Sequence, residues 1–140
     1  DGRGMFRSFE DLEVWQHACA FWVRVYRELE DCRDFGLRDQ MRRSAVSIAS
    51  NIAEGSERGG KDYARFLFIA RGSAAELRTQ AYITAQVGIL PDAAMRSIVE
   101  ATRRINRMLF GLPNHSQSKA PHTEHRKPKH PVGRVPDRVF

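Results

Sequence analysis

Residues 43–55 read RSAVSIASNIAEG, and this run decides how the chain folds. Its apolar members Ala45, Ile48 and Ile52 recur at spacings of three and four, which is the repeat of one α-helical face. Serine, alanine and asparagine fill most of the other positions, and such small side chains let a neighbouring helix approach closely. The pattern predicts an amphipathic helix over about residues 36–56, ended by the glycines that follow it.

Helical periodicity continues on both sides of this run. It predicts three further helices at about residues 9–31, 61–87 and 91–111, with Gly88 ending the third. No segment has the alternation of a β-strand. Helices of this length joined by short loops favour an all-α fold, an antiparallel up-down-up-down four-helix bundle.

The first predicted helix carries two adjacent apolar stripes. One comprises Leu12, Trp15, Cys19, Trp22, Tyr26 and Leu29, and the other comprises Val14, Ala18, Phe21 and Val25. Ser8 and Asp11 have the spacing of a capping box at its start. A helix in a lone bundle needs one apolar face, so we expect this helix to bury surface against another subunit as well.

The composition divides the chain into three parts. We expect a flexible leader at 1–7, the bundle at 8–111 and a disordered basic tail rich in proline and histidine at 112–140. From Gly111 onward six Lys or Arg face two acids, so most of the net charge of +6 lies there. Two cysteines and the lack of a long apolar run predict a reduced, cytoplasmic protein without a membrane segment.

Polar residues form a stripe along the second and third predicted helices. They are Arg43, Ser47, Asn51, Glu54, Arg58, Arg65, Ser73 and Glu76. A hairpin turning at residues 59 and 60 would set Glu54 near Arg65, Ser47 near Gly72 and Arg43 near Glu76. We interpret the stripe as structural, because paired charges and small contacts fix helix register or a subunit contact.

Residues 43–55 also resemble the signature of the bacterial four helix bundle proteins, which are encoded by intervening sequences in large-subunit ribosomal RNA genes. Similar to that family's opening and third helix are Phe9, Asp11–Leu12, Val14–Gln16, Arg65–Leu67, Ala70, Gly72–Ala74 and Glu76–Leu77. The resemblance implies a ring-like homopentamer. It extends to the accessory variability protein of diversity-generating retroelements, a basic pentamer that binds nucleic acid and its reverse transcriptase.

The sequence offers no catalytic set, so we expect a protein that is not an enzyme and has no cofactor or metal. The glycine-rich residues 55–60 lack the Lys-Ser/Thr ending of a phosphate-binding loop. His17, four residues after Glu13, is a weak metal signal on its own. The resemblance supplies no catalytic residues either.

Basic residues give the clearest functional signal. The predicted nucleic-acid contacts are Arg96, Arg103, Arg104, Arg107, Arg42, Arg126, Lys127 and Lys129. Arg71 and Arg78 add charge to the third helix. No recognition helix or stacking-aromatic motif is present, so we expect contacts with backbone phosphate of DNA or RNA.

Two functional hypotheses remain open at this point. One is an oligomeric nucleic-acid-binding accessory, in which weak phosphate contacts add across subunits. The other is an oligomeric protein-interaction scaffold with incidental charge, which the near-neutral body favours, since 17 Lys or Arg face 15 acids before Gly111.

Overall fold

A computed structural model describes residues 8–112 of the chain. The predicted leader at 1–7 and nearly all of the predicted tail, with Arg126, Lys127 and Lys129, lie outside the described residues. A 3-10 helix at Phe9–Asp11 precedes four α-helices: α1 at Glu13–Glu28, α2 at Phe35–Arg58, α3 at Gly60–Gln86 and α4 at Asp92–Phe110.

The helices pack as a closed cycle. Each contacts its two neighbours, α1 with α2 and α4, and α3 with α2 and α4, whereas no contact joins α1 to α3 or α2 to α4. Residues 8–112 contain no strand. The predicted all-α antiparallel four-helix bundle is therefore confirmed.

The core consists of apolar residues that recur at helical spacing on each helix. Met41, Ala45, Ile48 and Ile52 of α2 are all fully buried, and so are Ala70, Ala74, Leu77 and Ala81 of α3. α4 contributes Ile98 and Ile105, together with Leu109. In α2 and α3 these positions combine small alanines with larger isoleucine, leucine and methionine side chains.

The first helix differs from its expected limits. The Ser8 hydroxyl accepts a hydrogen bond from the Glu10 backbone N–H at 3.1 Å, and it caps the 3-10 turn rather than α1. Leu12 then adopts an extended backbone, so α1 begins only at Glu13. The helix ends at Glu28, before the expected limit at residue 31.

The two stripes of α1 have different surroundings. Val14, Ala18, Phe21 and Val25 are buried in the bundle. Trp15, Cys19 and Trp22 of the other stripe are only partly buried, and Tyr26 is 44% exposed. Leu12 and Leu29 of that stripe are buried as well, so the protomer leaves only the middle of the stripe partly accessible. Contact of α1 with another subunit stays a prediction.

A tight hairpin joins α2 to α3, and these two helices form the most extensive interface of the bundle. Gly59 and Gly60 have φ values of 59° and 52°, a region that favours glycine. A Cβ atom on Gly55 would lie 2.9 Å from Cβ of Phe66, so the backbones approach closely at this glycine. Gly72 is exposed, and a Cβ atom added to it would meet no neighbouring atom within 4 Å, so the close contact expected there is wrong.

We compared the four helices of residues 8–112 with the requirements for a membrane-spanning helix. Between residues 8 and 112, none of the helices combines the length and the apolar character that crossing a bilayer requires.

Candidate nucleic-acid interface

The outward face of α4 carries a row of arginines. Ala94, Ile98, Ile105 and Leu109 of this helix are buried, and Arg96, Arg103, Arg104 and Arg107 are all exposed. The apolar residues define the core side of the helix, and at 3.6 residues per turn the arginines fall on the opposite side. The helix holds two acids against these four cations, so its outward face has a positive balance.

Two cations of this row have local partners. Nη2 of Arg107 lies 3.3 Å from Oε1 of Glu100, with 64% of the arginine side chain exposed. Nη2 of Arg103 donates to the Tyr82 hydroxyl at 3.4 Å. Both contacts are long and solvated, so Glu100 and Tyr82 compete only weakly with a phosphate for these guanidinium groups.

The other two cations have no partner. The side chains of Arg96 and Arg104 make no hydrogen bond or ion pair with any other residue of the described range 8–112. Their guanidinium groups are solvated and accessible. They are the residues of this row most available to an anionic ligand.

Arg42, the predicted contact on α2, lies apart from the α4 row, since α2 and α4 are not neighbouring helices in the bundle. Its Nη2 donates to the Tyr26 carbonyl at 2.9 Å, and its Cζ lies 3.7 Å from the centroid of the Tyr26 ring. The guanidinium thus links α2 to the end of α1. This arginine is engaged within the bundle, unlike Arg96 and Arg104.

A further arginine, which our sequence analysis left aside, contacts α4 from α1. Arg24 of α1 donates through Nη2 to the Ser97 carbonyl at 3.2 Å, and it is exposed. The contact spans 73 residues of sequence, so no local pattern could have revealed it.

Two exposed phenylalanines form another feature that the sequence analysis missed. Phe68 of α3 and Phe110 of α4 are each 66% exposed. They lie with Arg71 around a groove of about 220 Å³ beside the end of α4. Phe110 follows Arg107 by three residues on the same helix face, which was the one signal available from sequence.

The polar stripe of α2 and α3 is organised by hydrogen bonds. The hydroxyl groups of Ser47 and Ser73 lie 2.8 Å apart. Nδ2 of Asn51 donates to the carbonyl of Ser47 at 2.8 Å and to its hydroxyl at 3.0 Å. Ser47 therefore pairs with Ser73, one residue away from the Gly72 position that we predicted.

The charged residues of this stripe pair differently from the expected arrangement. Arg58 binds Glu54 at 2.9 Å and Asp62 at 3.4 Å, and Arg65 lies 3.4 Å from Asp62. Hydrogen bonds with Glu54 and then with Asp62 raise the pKa of Arg58 above its ordinary value. The expected pair between Glu54 and Arg65 is not made, because Glu54 pairs with Arg58 and Arg65 with Asp62. The expected pair between Arg43 and Glu76 is not made either.

Metal ligands are not assembled in the part of the chain that the structure describes. Residues 8–112 hold no group of three or more His, Cys, Asp or Glu that could bind a metal ion. Nε2 of His17 lies 3.6 Å from Oε1 of Glu13, one turn away on the surface of α1. Cys19 and Cys32 are free thiols, and burial raises the pKa of Cys19.

Comparisons with known proteins give one matching sequence family and a similar solved structure. The sequence model of the 23S rRNA-intervening sequence protein family matches residues 10–111. A crystal structure of a protein of unknown function, from the S23 ribosomal protein family of Bacteroides thetaiotaomicron, matches with a TM-score of 0.63 and 26% identity. The match covers 69% of this chain and 94% of that one. No curated protein gives a match.

Proposed function

Since the chain belongs to the 23S rRNA-intervening sequence protein family, we propose that it is a non-enzymatic, homo-oligomeric accessory protein that binds nucleic acid in the cytoplasm. Binding is electrostatic and directed at the phosphate backbone. The protein serves an RNA process or a reverse transcriptase by holding a strand rather than by reading its sequence.

The observation that carries this proposal is the arginine row on α4. Four exposed guanidinium groups share one face, and Arg96 and Arg104 have no partner within residues 8–112. Arginine donors match phosphate oxygens in pairs, and each neutralised phosphate releases counterions. A face of this kind on a helix exposed along its length suits a backbone better than a small ligand.

Assembly strengthens the proposal. One row provides few contacts, and isolated contacts between exposed charges are weak. A homopentamer would present the row five times, so that contacts formed by one subunit raise the effective concentration of strand at the next. The partly exposed stripe of α1, with Trp15, Trp22 and Tyr26, is a candidate surface for such assembly.

Fluorescence anisotropy of the full chain with labelled RNA and DNA across a salt series tests the proposal. The variant Arg96→Gln/Arg104→Gln removes two unpaired cations from α4. Its matched control, Arg27→Gln/Arg43→Gln, removes two exposed arginines of α1 and α2 whose side chains also make no hydrogen bond or ion pair within residues 8–112. Both variants change the net charge equally.

We expect the α4 variant to bind at least about tenfold more weakly at low salt and the control to bind nearly as well as the wild type. Loss of two duplex phosphate contacts should reduce the slope of log K against log salt by about 1.8. Equal losses in both variants would assign binding to net charge alone. Absence of binding by the wild type would reject the proposal.

An oligomeric protein-interaction scaffold is the second candidate, and a specific observation favours it. Val46 of α2 and Ile69 and Ile83 of α3 are 42%, 43% and 41% exposed. Exposed apolar residues on adjacent helices are typical of protein-binding surfaces. Under this hypothesis the α4 variant would keep its partner, whereas replacing Ile69 and Ile83 by serine would release it.

A further inference from the structure

A groove between α3 and α4 combines aromatic, apolar and cationic groups. It has a volume of about 220 Å³, and its walls include Leu67, Phe68, Arg71, Leu109 and Phe110. This volume lies below the roughly 300–1,000 Å³ of pockets that hold drug-sized ligands. The groove thus has room for one planar group rather than for a large molecule.

Arg71 lies between the two phenylalanines. Its Cζ is 3.8 Å from the centroid of the Phe110 ring and 5.4 Å from that of Phe68. Both distances fall within the about 6 Å range of cation–π contact. The arginine is held by aromatic groups from two helices, yet each phenylalanine is 66% exposed.

The hydrogen-bonding state of Arg71 indicates which ligand fits. Its Nε is buried and has no hydrogen-bond partner within residues 8–112, and the structure gives this guanidinium no ion pair in that range. Covering the groove with a purely apolar surface would remove water from a cation that has no acceptor, which is unfavourable. A suitable occupant must offer a flat apolar ring together with anionic oxygens.

We propose that this groove is a stacking site for one base of a single-stranded nucleic acid, with Phe110 and Phe68 as the platform and Arg71 as the phosphate contact. Bases of single strands stack on aromatic rings and on guanidinium planes, whereas bases of a duplex are not accessible in this way. The inference rests on the proposed function and deepens it, because it assigns a preference for single strands.

The position of the groove supports this assignment. Phe110 follows Arg107 on the outward face of α4, so the stacking site continues the arginine row at the helix end. A strand whose phosphates lie along Arg96, Arg103 and Arg107 would reach the two rings next. The charge of the row therefore complements the same ligand that the groove accepts.

The test compares a labelled single-stranded RNA with a duplex of the same length, binding to the full chain and to its variants. Phe110→Ala removes the platform, and Phe110→Trp enlarges it. Phe110→Leu keeps an apolar group without an aromatic face. Phe35→Ala is the matched control, because Phe35 is 60% exposed and Cζ of Arg38 lies 4.6 Å from its ring centroid, far from α4 in sequence.

We expect Phe110→Ala and Phe110→Leu to weaken single-strand binding by about 5- to 150-fold, the usual contribution of one stacked base. Duplex binding and the salt slope should stay within about twofold of the wild type, because the number of phosphate contacts is unchanged. Phe110→Trp should bind the single strand at least as tightly as the wild type, and Phe35→Ala should match it.

Three results would overturn the stacking site while leaving the proposed function in place. The first is a Phe110→Leu variant that binds the single strand as tightly as the wild type. The second is a Phe110→Ala variant that loses equal affinity for single strand and duplex. The third is a change in the oligomeric state of the Phe110 variants in light scattering, which would identify the groove as a contact between copies. A wild-type chain that binds neither nucleic acid would instead reject the proposed function itself.

Discussion

The α2–α3 hairpin and the outward face of α4 use polar residues in opposite ways. In the hairpin, Ser47 bonds to Ser73, and Arg58 is held by Glu54 and Asp62. On α4, Arg96 and Arg104 have no partner between residues 8 and 112. Satisfied polar groups stabilise the protomer, whereas unsatisfied exposed cations remain available for a ligand. The same residue types thus mark structure in one region and candidate function in the other.

The largest expected effect comes from the tightest point of the hairpin. Gly55→Ala should lower the free energy of unfolding by about 1–3 kcal/mol, since its Cβ would lie 2.9 Å from Cβ of Phe66 and 3.2 Å from the Tyr63 carbonyl oxygen. Gly72→Ala is the matched control. With open space around it, this change should raise stability by about 0.5–1 kcal/mol.

Urea denaturation followed by circular dichroism measures both effects. A Gly55→Ala protein with the unfolding free energy of the wild type would show that the α2 and α3 backbones can move apart without loss of stability. A Gly72→Ala protein that is less stable than the wild type would mean that the outer surface of α3 is packed against another subunit.

A smaller effect is expected from the hydroxyl pair of the hairpin. Ser47→Ala should destabilise the protein by about 1–2 kcal/mol, because it leaves the buried Ser73 hydroxyl without this partner and removes one acceptor of Asn51. The double variant Ser47→Ala/Ser73→Ala should lose less than the sum of the two single losses. A double-mutant cycle from denaturation curves checks this, and strictly additive losses would show that the two hydroxyls do not interact.

The bundle could be predicted from sequence because apolar residues repeat regularly along each helix. The buried face of α2 follows from helical spacing alone, since its residues Met41, Ala45, Ile48 and Ile52 recur every three or four positions. The hairpin register was one residue in error. Helix spacing alone gives no reason to set Ser47 against Ser73 rather than Gly72, since both adjacent residues are small.

The candidate site was predicted only in part, for a related reason. The spacing of Arg96, Arg103 and Arg107 predicts that they share a helix face, and the structure places all three on the exposed side of α4. Which arginine is free depends on neighbours from other helices, such as Tyr82 beside Arg103. The groove of Phe68, Arg71 and Phe110 likewise joins two helices, and no local period encodes such a contact.

The smallest expected effect on stability belongs to α4 and sharpens the comparison most. Arg96→Gln/Arg104→Gln should change the free energy of unfolding by less than about 0.5 kcal/mol, because both side chains are exposed and neither has a partner to lose. Thermal denaturation at low and high salt measures this directly. A loss above about 1 kcal/mol would make these arginines structural, like Arg58. Unchanged stability combined with weakened nucleic-acid binding would show that Arg96 and Arg104 serve ligand binding and not the fold. The outward face of α4 would then differ in role from the α2–α3 hairpin, whose polar residues stabilise the protomer.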